Sequence, residues 1–351
     1  MEYGLSFLPD IAEDSYTAAE YFQSALKLSK LADEAGFKTI KMTEHYLHSY
    51  GGYCPSPLMF LASVASITNK IRLMSGCILP VFNHPIQIAA NTAMLDAISL
   101  GRLDVGFARA YLPYEFSAFE IDMDSSREKY QDTISAVKQL WLEKNVDYKS
   151  NFFNLNQVNS LPKPTQYPYP PLWGAAVNSR QSFAWLGEQG FNLLVTPPLT
   201  GLSDLVDKLD IYREEFIPNE VNKKPQIALS LPLFIANDQY EAEVNGDKYL
   251  SEYIRVWADA ADSWNNSSST NYPGYTGMSY ALRQNTPKNM RETSQAIIGT
   301  PDLVVKKINE IARLTNVDQI LWQIDFGGQK LESMMDSLSL FINRVLPDVK
   351  M

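Results

Sequence analysis

The groups in this chain that could do chemistry are few, and they follow strand-like runs. There are three histidines, His45, His48 and His84. His45 comes just after the run F-K-T-I-K-M at 37–42, within Thr43-Glu44-His45-Tyr46. An imidazole titrates near neutrality, so at that place it can pass a proton to or from an oxygen intermediate. A hydrogen-bonded structural histidine is the other role open to it. His48 lies further out in a glycine-containing loop and reads as surface. His84 precedes Pro85 at a helix start, where capping or packing accounts for it. No H-x-x-x-H pair occurs, so there is no zinc signature. Cys54 and Cys77 are not spaced as a metal or redox pair, and neither a G-x-S-x-G elbow nor a Walker loop occurs.

Anion chemistry is the second possibility. Arg109 follows L-D-V-G-F-A at 103–108, and Arg127 follows D-M-D-S-S at the start of a helical run. A guanidinium donates in a fork that matches phosphate oxygens. Asn178, Ser179 and Ser182 open a helix after the run at 172–177. Small polar side chains and free backbone N–H groups there can form an anion site. Plain N-capping by Ser179 is the alternative.

The elements that must position these groups alternate regularly. Apolar runs at 3–8, 37–42, 71–79, 103–108, 172–177, 191–195, 226–235 and 317–324 read as strands. Helical spacing follows at 17–35, 57–68, 85–99, 126–142, 179–189, 202–216, 301–314 and 331–345, with Gly36 and Gly101 as stops. Repeated strand–helix units imply parallel strands. Eight units without a glycine-rich dinucleotide fingerprint favour a closed (β/α)8 TIM barrel over a doubly wound sheet with an appended helical domain. In such a barrel the active site lies at the C-terminal strand ends, where these groups sit. Residues 1–351 are read as a single barrel domain with insertions near 110–125, 145–171 and 262–295. The Pro-rich 145–171 stretch is expected to expose a short hairpin around Phe152–Leu155, and 262–295 to form a long loop over a barrel end.

Composition excludes several classes. Hydrophobic residues make up 45% and charged residues 20%, enough for a large core and too ordered a mixture for a disordered chain. A net charge of −10 argues against nucleic acid or an anionic membrane as partner. Two cysteines do not make a disulfide scaffold. The N-terminus lacks a signal-peptide charge pattern, and no apolar run reaches the roughly 18 residues of a spanning helix. A soluble, cytoplasmic protein is expected.

Four blocks in order resemble the luciferase-like flavin monooxygenases. They are G-F-K-T-I-K-M-T-E-H-Y; T-N-K-I-R-L-M-S-G-C-I-L-P-V-F-N-H-P with L-D-A-I-S-L-G-R-L-D-V-G-F-A-R; P-P-L-W-G-A-A-V-N-S; and I-G-T-P-D-L-V-V-K-K-I with V-D-Q-I-L-W-Q-I-D-F-G-G. The resemblance spans nearly the whole chain. It implies His45 as the catalytic histidine, with Glu44 beside it on the cofactor side. It implies Ser75–Gly76 at the non-proline cis peptide often found beneath the flavin ring. Arg109, Arg127, Asn178, Ser179 and Ser182 match flavin- and phosphate-facing positions. Two positions depart from the pattern: the family's second histidine is Tyr46, and the cysteine before the arginine in light-emitting luciferases is Ala108. Light emission is therefore not expected.

The activity implied is a two-component monooxygenase. Reduced FMN would come from a separate flavin reductase, and oxygen would add to it as a C4a-peroxyflavin. The product would be an oxygenated carbonyl-containing or other organic substrate, small or carrier-bound, in polyketide-like specialised metabolism. Trp257, Trp264, Tyr272, Tyr275 and Tyr280 would either line an apolar pocket for it or pack the barrel helices. A homodimer is expected. A deazaflavin-dependent dehydrogenase on the same barrel, or a non-catalytic flavin-binding subunit, are the alternatives.

Overall fold

In the computed structural model, which describes residues 1–11, 17–197 and 199–349, alternation along each inner strand separates two cores. The strands are β1 (Glu2–Phe7), β2 (Thr39–Met42), β3 (Arg72–Ser75), β4 (Leu103–Phe107), β5 (Val146–Lys149), β6 (Asn154–Val158), β7 (Leu172–Ala176), β8 (Asn192–Val195), β9 (Ile227–Ile235), β10 (Ile297–Gly299) and β11 (Gln319–Gln323). The helices are α1 (Ala18–Glu34), α2 (Pro57–Ile67), α3 (Pro85–Ile98), α4 (Pro113–Ala118), α5 (Ser126–Leu142), α6 (Arg180–Glu188), α7 (Val206–Glu214), α8 (Gln239–Ala261), α9 (Met278–Gln284), α10 (Pro287–Glu292), α11 (Pro301–Thr315), α12 (Leu331–Leu340) and α13 (Leu346–Val349).

Tyr3, Leu5 and Phe7 of β1 point out into the helix layer, where Tyr3 meets Phe341 and Phe7 meets Phe60 edge-on. Each such fully buried side chain contributes about 1.5–3 kcal/mol. The intervening Gly4 and Ser6 face the barrel axis. Inside, a small apolar cluster of Met74, Cys77, Trp173, Leu194, Ala228 and Leu321 shares the space with polar side chains. Gln319 donates to Thr39 there, and Lys41 to Ser6. A Cβ on Gly4 would lie 2.6 Å from both Leu321 Cδ2 and the Thr39 carbonyl, so the barrel closes tightly at that point.

The closed barrel runs β1-β2-β3-β4-β7-β8-β9-β11 and back to β1, parallel throughout. All eight sequence-derived strands are its members. The run expected to extend over 71–79 ends as a strand at Ser75; a cis Gly76–Cys77 peptide follows, and Ile78 meets Phe107 only as an isolated bridge. The hairpin expected near Phe152–Leu155 is the antiparallel pair β5 and β6, whose turn holds Phe152 and Phe153. Gly36 and Gly101 have φ of +82° and +81°, values that let glycine end a helix without strain.

Two segments differ from expectation. Residues 239–261, assigned no element from sequence, form the 23-residue helix α8, capped by Asp238. Its buried stripe is Ala242, Gly246, Leu250, Tyr253 and Ile254, small and mixed enough to hide the helical period. The 262–295 stretch is not one loop: it folds into a 3-10 turn at Asp262–Asn266 followed by α9 and α10. Strand β10 then pairs with the last three residues of β9. Among the described residues no helix is long and apolar enough to cross a membrane.

Candidate functional site

The barrel brings the segments after β2, β3 and β4 side by side at its C-terminal end. His45, after β2, is buried, and its Nδ1 lies 3.0 Å from Glu115 Oε1. The backbone N–H of Tyr46 donates to the same oxygen at 2.9 Å. Glu115 belongs to α4, in the 110–125 insertion, and is fully buried. A carboxylate only accepts, so this contact assigns the proton to Nδ1 and leaves Nε2 unprotonated in the neutral ring. Glu115 Oε2 has no partner among the described residues. The His45 ring packs 5.3 Å from Tyr50 and 6.1 Å from Tyr111. From α8, Trp257 stacks on Tyr50 at 5.8 Å and donates to the Tyr111 hydroxyl at 3.0 Å. Trp264 and Tyr272 are buried packing residues, Tyr275 lies between them and Tyr111, and Tyr280 is exposed.

Glu44 points to the neighbouring segment. It accepts from the Tyr46 hydroxyl at 2.7 Å, from Asn83 Nδ2 at 3.0 Å and from the Leu79 N–H at 3.3 Å. Tyr46, at the family's second-histidine position, is thus committed to Glu44. Burial pushes the Glu44 carboxyl up to about 7 even though these three bonds pull it down.

The cis peptide is at Gly76–Cys77, one residue later than the Ser75–Gly76 expected. Ser75 is fully buried and bridges β3 to β4: its Oγ accepts from the Gly106 N–H at 2.8 Å and lies 3.1 Å from the Gly106 carbonyl. Gly76 is a glycine because the stem of Lys41 fills the place of a side chain; a Cβ there would lie 2.2 Å from Lys41 Cγ. Lys41 Nζ donates to Ser6 Oγ at 3.0 Å and Thr43 Oγ1 at 3.1 Å.

Arg109 lies over the ring of Tyr272, 4.2 Å from its centre, and donates from Nη2 to the Asn271 carbonyl at 2.8 Å. Its buried Nη1 has no partner among the described residues. Arg127, in the first turn of α5, has no hydrogen bond or ion pair among the described residues, and burial together with nearby Arg109 holds its pKa below the usual range. Two close guanidiniums with an unfilled buried donor suit a phosphate. Because β4 pairs with β7, the start of α6 is adjacent, and Tyr130 of α5 packs 5.6 Å from Trp185 of α6. Ser179 caps α6, its Oγ accepting from Ser182 N–H at 3.4 Å. Asn178 makes no hydrogen bond among the described residues.

His84 caps α3, accepting from Ile86 N–H at 3.3 Å, and half-buried His48 accepts from Tyr50 N–H at 3.2 Å. Both cysteines are buried and free, and among the described residues no cluster could hold a metal. Sequence reasoning missed Glu115 and Lys41. A lysine inside the apolar run T-I-K-M was a visible signal; a glutamate in P-Y-E-F was not.

Residues 1–318 match the family described as luciferase-like monooxygenase. The oxygenase component of a flavin-dependent trigonelline monooxygenase from Acinetobacter baylyi is 26% identical over 99% of this chain and 95% of its own. Among solved structures, monooxygenase RslO1 from Streptomyces bottropensis is 34% identical with a TM-score of 0.84, covering 99% of each chain. The oxygenating constituent of 3,6-diketocamphane monooxygenase from Pseudomonas putida, a type II Baeyer–Villiger monooxygenase in complex with FMN, is 19% identical with a TM-score of 0.80, over 99% of this chain and 98% of that one. A coenzyme F420-dependent tetrahydromethanopterin reductase from Methanopyrus kandleri shares the fold at 20% identity and a TM-score of 0.71, over 99% of each chain.

The Glu44 carboxyl yields a pH prediction. Its folded pKa of about 7 lies above the ordinary 4.5, so the folded state holds the extra proton between those values. Stability from this group is full below the lower value and falls as pH rises to the upper one. Glu44→Gln should flatten that fall by up to about 3 kcal/mol, read from urea unfolding at each pH. An unchanged slope would show that Glu44 ionises normally in the fold.

Proposed function

The chain belongs to the luciferase-like monooxygenase family, and from that premise we propose that it holds reduced FMN at the barrel mouth and, with molecular oxygen, oxygenates a carbonyl-containing organic substrate. The observation that carries the reading is the unfilled Arg109 Nη1 beside unpaired Arg127. A buried donor without a partner is costly, and a phosphate dianion would satisfy both guanidiniums. The start of α6, with Asn178, Ser179 and Ser182, adds small polar groups on the neighbouring strand end.

When bound, the flavin supplies the oxygen activation. The residues of this chain then have separate duties. The backbone at Gly76 offers a floor without a side chain. Glu44 holds that segment to the loop after β2, with Ser75 bonding β3 to β4. His45 moves a proton at Nε2, and Glu115 keeps the ring turned to do so. Tyr50, Tyr111 and Trp257 exclude water beside it. The reduced flavin comes from a separate reductase, in keeping with the name of the trigonelline relative, an oxygenase component. A carbonyl-bearing substrate is in keeping with the likeness to the diketocamphane enzyme.

Arg127→Ala should weaken FMN binding by about 1.5–3 kcal/mol and leave riboflavin binding nearly unchanged, measured by fluorescence titration. Equal losses for both ligands would remove Arg127 from the phosphate site. His45→Ala should keep FMN affinity within a few-fold and slow oxygen-dependent product formation by about 10²–10⁴. Turnover retained in that variant but lost in His84→Ala would put the proton-transfer site elsewhere. Binding of a deazaflavin in place of FMN would favour hydride transfer over oxygenation.

A further inference from the structure

Lys41 is an ammonium without a counterion. Its side chain runs inside the barrel along the Cα of Gly76, under the end of β3. Its two partners, Ser6 and Thr43, are neutral hydroxyls, and no carboxylate lies within ion-pair distance among the described residues. A third N–H of the ammonium has no described partner. The groups that reach it electrostatically are Cys77 and Asp325. Burial pushes the Cys77 thiol up to about 12, so it is neutral. Asp325 Oδ2 accepts from the Leu8 N–H and the Tyr21 hydroxyl, its Oδ1 has no partner among the described residues, it makes no ion pair with Lys41, and burial pushes it up to about 7. An isolated buried charge is unfavourable, and burial accordingly lowers the Lys41 pKa. The neighbouring axial side chains are mixed, with Met74, Cys77 and Leu321 beside Ser6, Thr39 and Gln319, and two hydroxyls could be bonded by a neutral side chain, so a structural role alone does not require a charge.

We propose that Lys41 is a positioning residue whose charge, set under the Gly76–Cys77 floor, favours the anionic over the neutral form of a reduced flavin above it. The inference rests on the flavin-binding reading given above. The form bound would differ from oxidised FMN by two electrons, supplied by the separate reductase, and one proton, the second proton of neutral reduced FMN staying in solvent. The resulting negative charge on the ring is the counterion that Lys41 lacks, and it is absent from the oxidised form. Lys41 therefore discriminates between redox states and not merely between bound and empty protein.

The test is anaerobic titration of full-length wild-type and Lys41→Met protein with oxidised and with reduced FMN. The oxidised form should bind both proteins within about three-fold. The reduced form should bind the variant about ten-fold more weakly, equivalent to a midpoint potential lowered by about 30 mV for a two-electron couple. Equal weakening of both forms, or of neither, would overturn the proposal and leave the flavin site standing. Failure of the wild type to bind either form would instead overturn the flavin reading, and this proposal with it. Should the variant not fold, the near-ultraviolet spectrum of reduced FMN on the wild type decides. It should be that of the anion at a pH where free reduced FMN is protonated, and a neutral spectrum there would overturn the proposal.

Discussion

One carboxylate oxygen holds the mouth together. Glu115 Oε1, on a helix that follows β4, accepts hydrogen bonds from His45 Nδ1 and from the Tyr46 backbone N–H, in a loop that follows β2. Strand β3 lies between those two, so α4 must cross its end to make the bonds. Glu115 Oε2 has no partner among the described residues, so the two bonds at Oε1 are what offsets burial of the carboxylate, which makes this crossing a strong constraint on the 110–125 insertion. Arg109, just upstream, is carried into place by the same crossing. Beyond α4 the 262–277 stretch is tied down in turn. Ser269 and Thr270 bond the Asp124 carboxylate, Asn271 bonds the Asp124 carbonyl, and the Tyr272 hydroxyl bonds the Ala110 carbonyl. The 262–277 stretch is thus tied by hydrogen bonds to the segment that carries Glu115.

Beneath that cover the barrel axis carries more polarity than packing alone needs. Ser6, Thr39, Lys41, Gln319 and Gln323 are all buried, beside an apolar cluster. Polar residues near the mouth keep the ring of segments after β1, β2 and β3 in fixed relation. Glu44 reaches across to Leu79 and Asn83, and Lys41 reaches to Ser6. Each of these bonds joins neighbouring strand ends, so the geometry of the floor is set by side chains as well as by the sheet.

The barrel was readable because its strands are short apolar runs at regular intervals, each followed by a helix with an amphipathic face. The placement of His45 and Arg109 after strand ends and of Arg127 in the first turn of a helix was readable because those ends are marked in the sequence by where the apolar runs stop. Helix α8 was not, since its buried stripe mixes alanine, glycine and tyrosine, and its Tyr253 and Trp257 matter only once Tyr253 meets Tyr50 and Trp257 meets Tyr50 and Tyr111. Glu115 was hidden for a different reason: its partner lies 70 residues away in sequence, and nothing local distinguishes it from a surface glutamate. The cis bond fell one residue beyond its expected place, a boundary that depends on where β3 leaves the sheet. Ser179 does what a good cap does.

The claim on which the account turns is that Glu115 fixes the His45 ring with its Nδ1 protonated. Nitrogen-15 NMR of the histidine side chains tests it directly, since the chain has only three. His48 and His84 accept backbone N–H bonds at Nδ1, so in their neutral forms the proton must sit on Nε2. His45 alone should show a protonated Nδ1 and, when neutral, a bare Nε2. Its resonances can be assigned by their loss in His45→Ala. A neutral His45 with the proton on Nε2, matching the other two, would contradict the account.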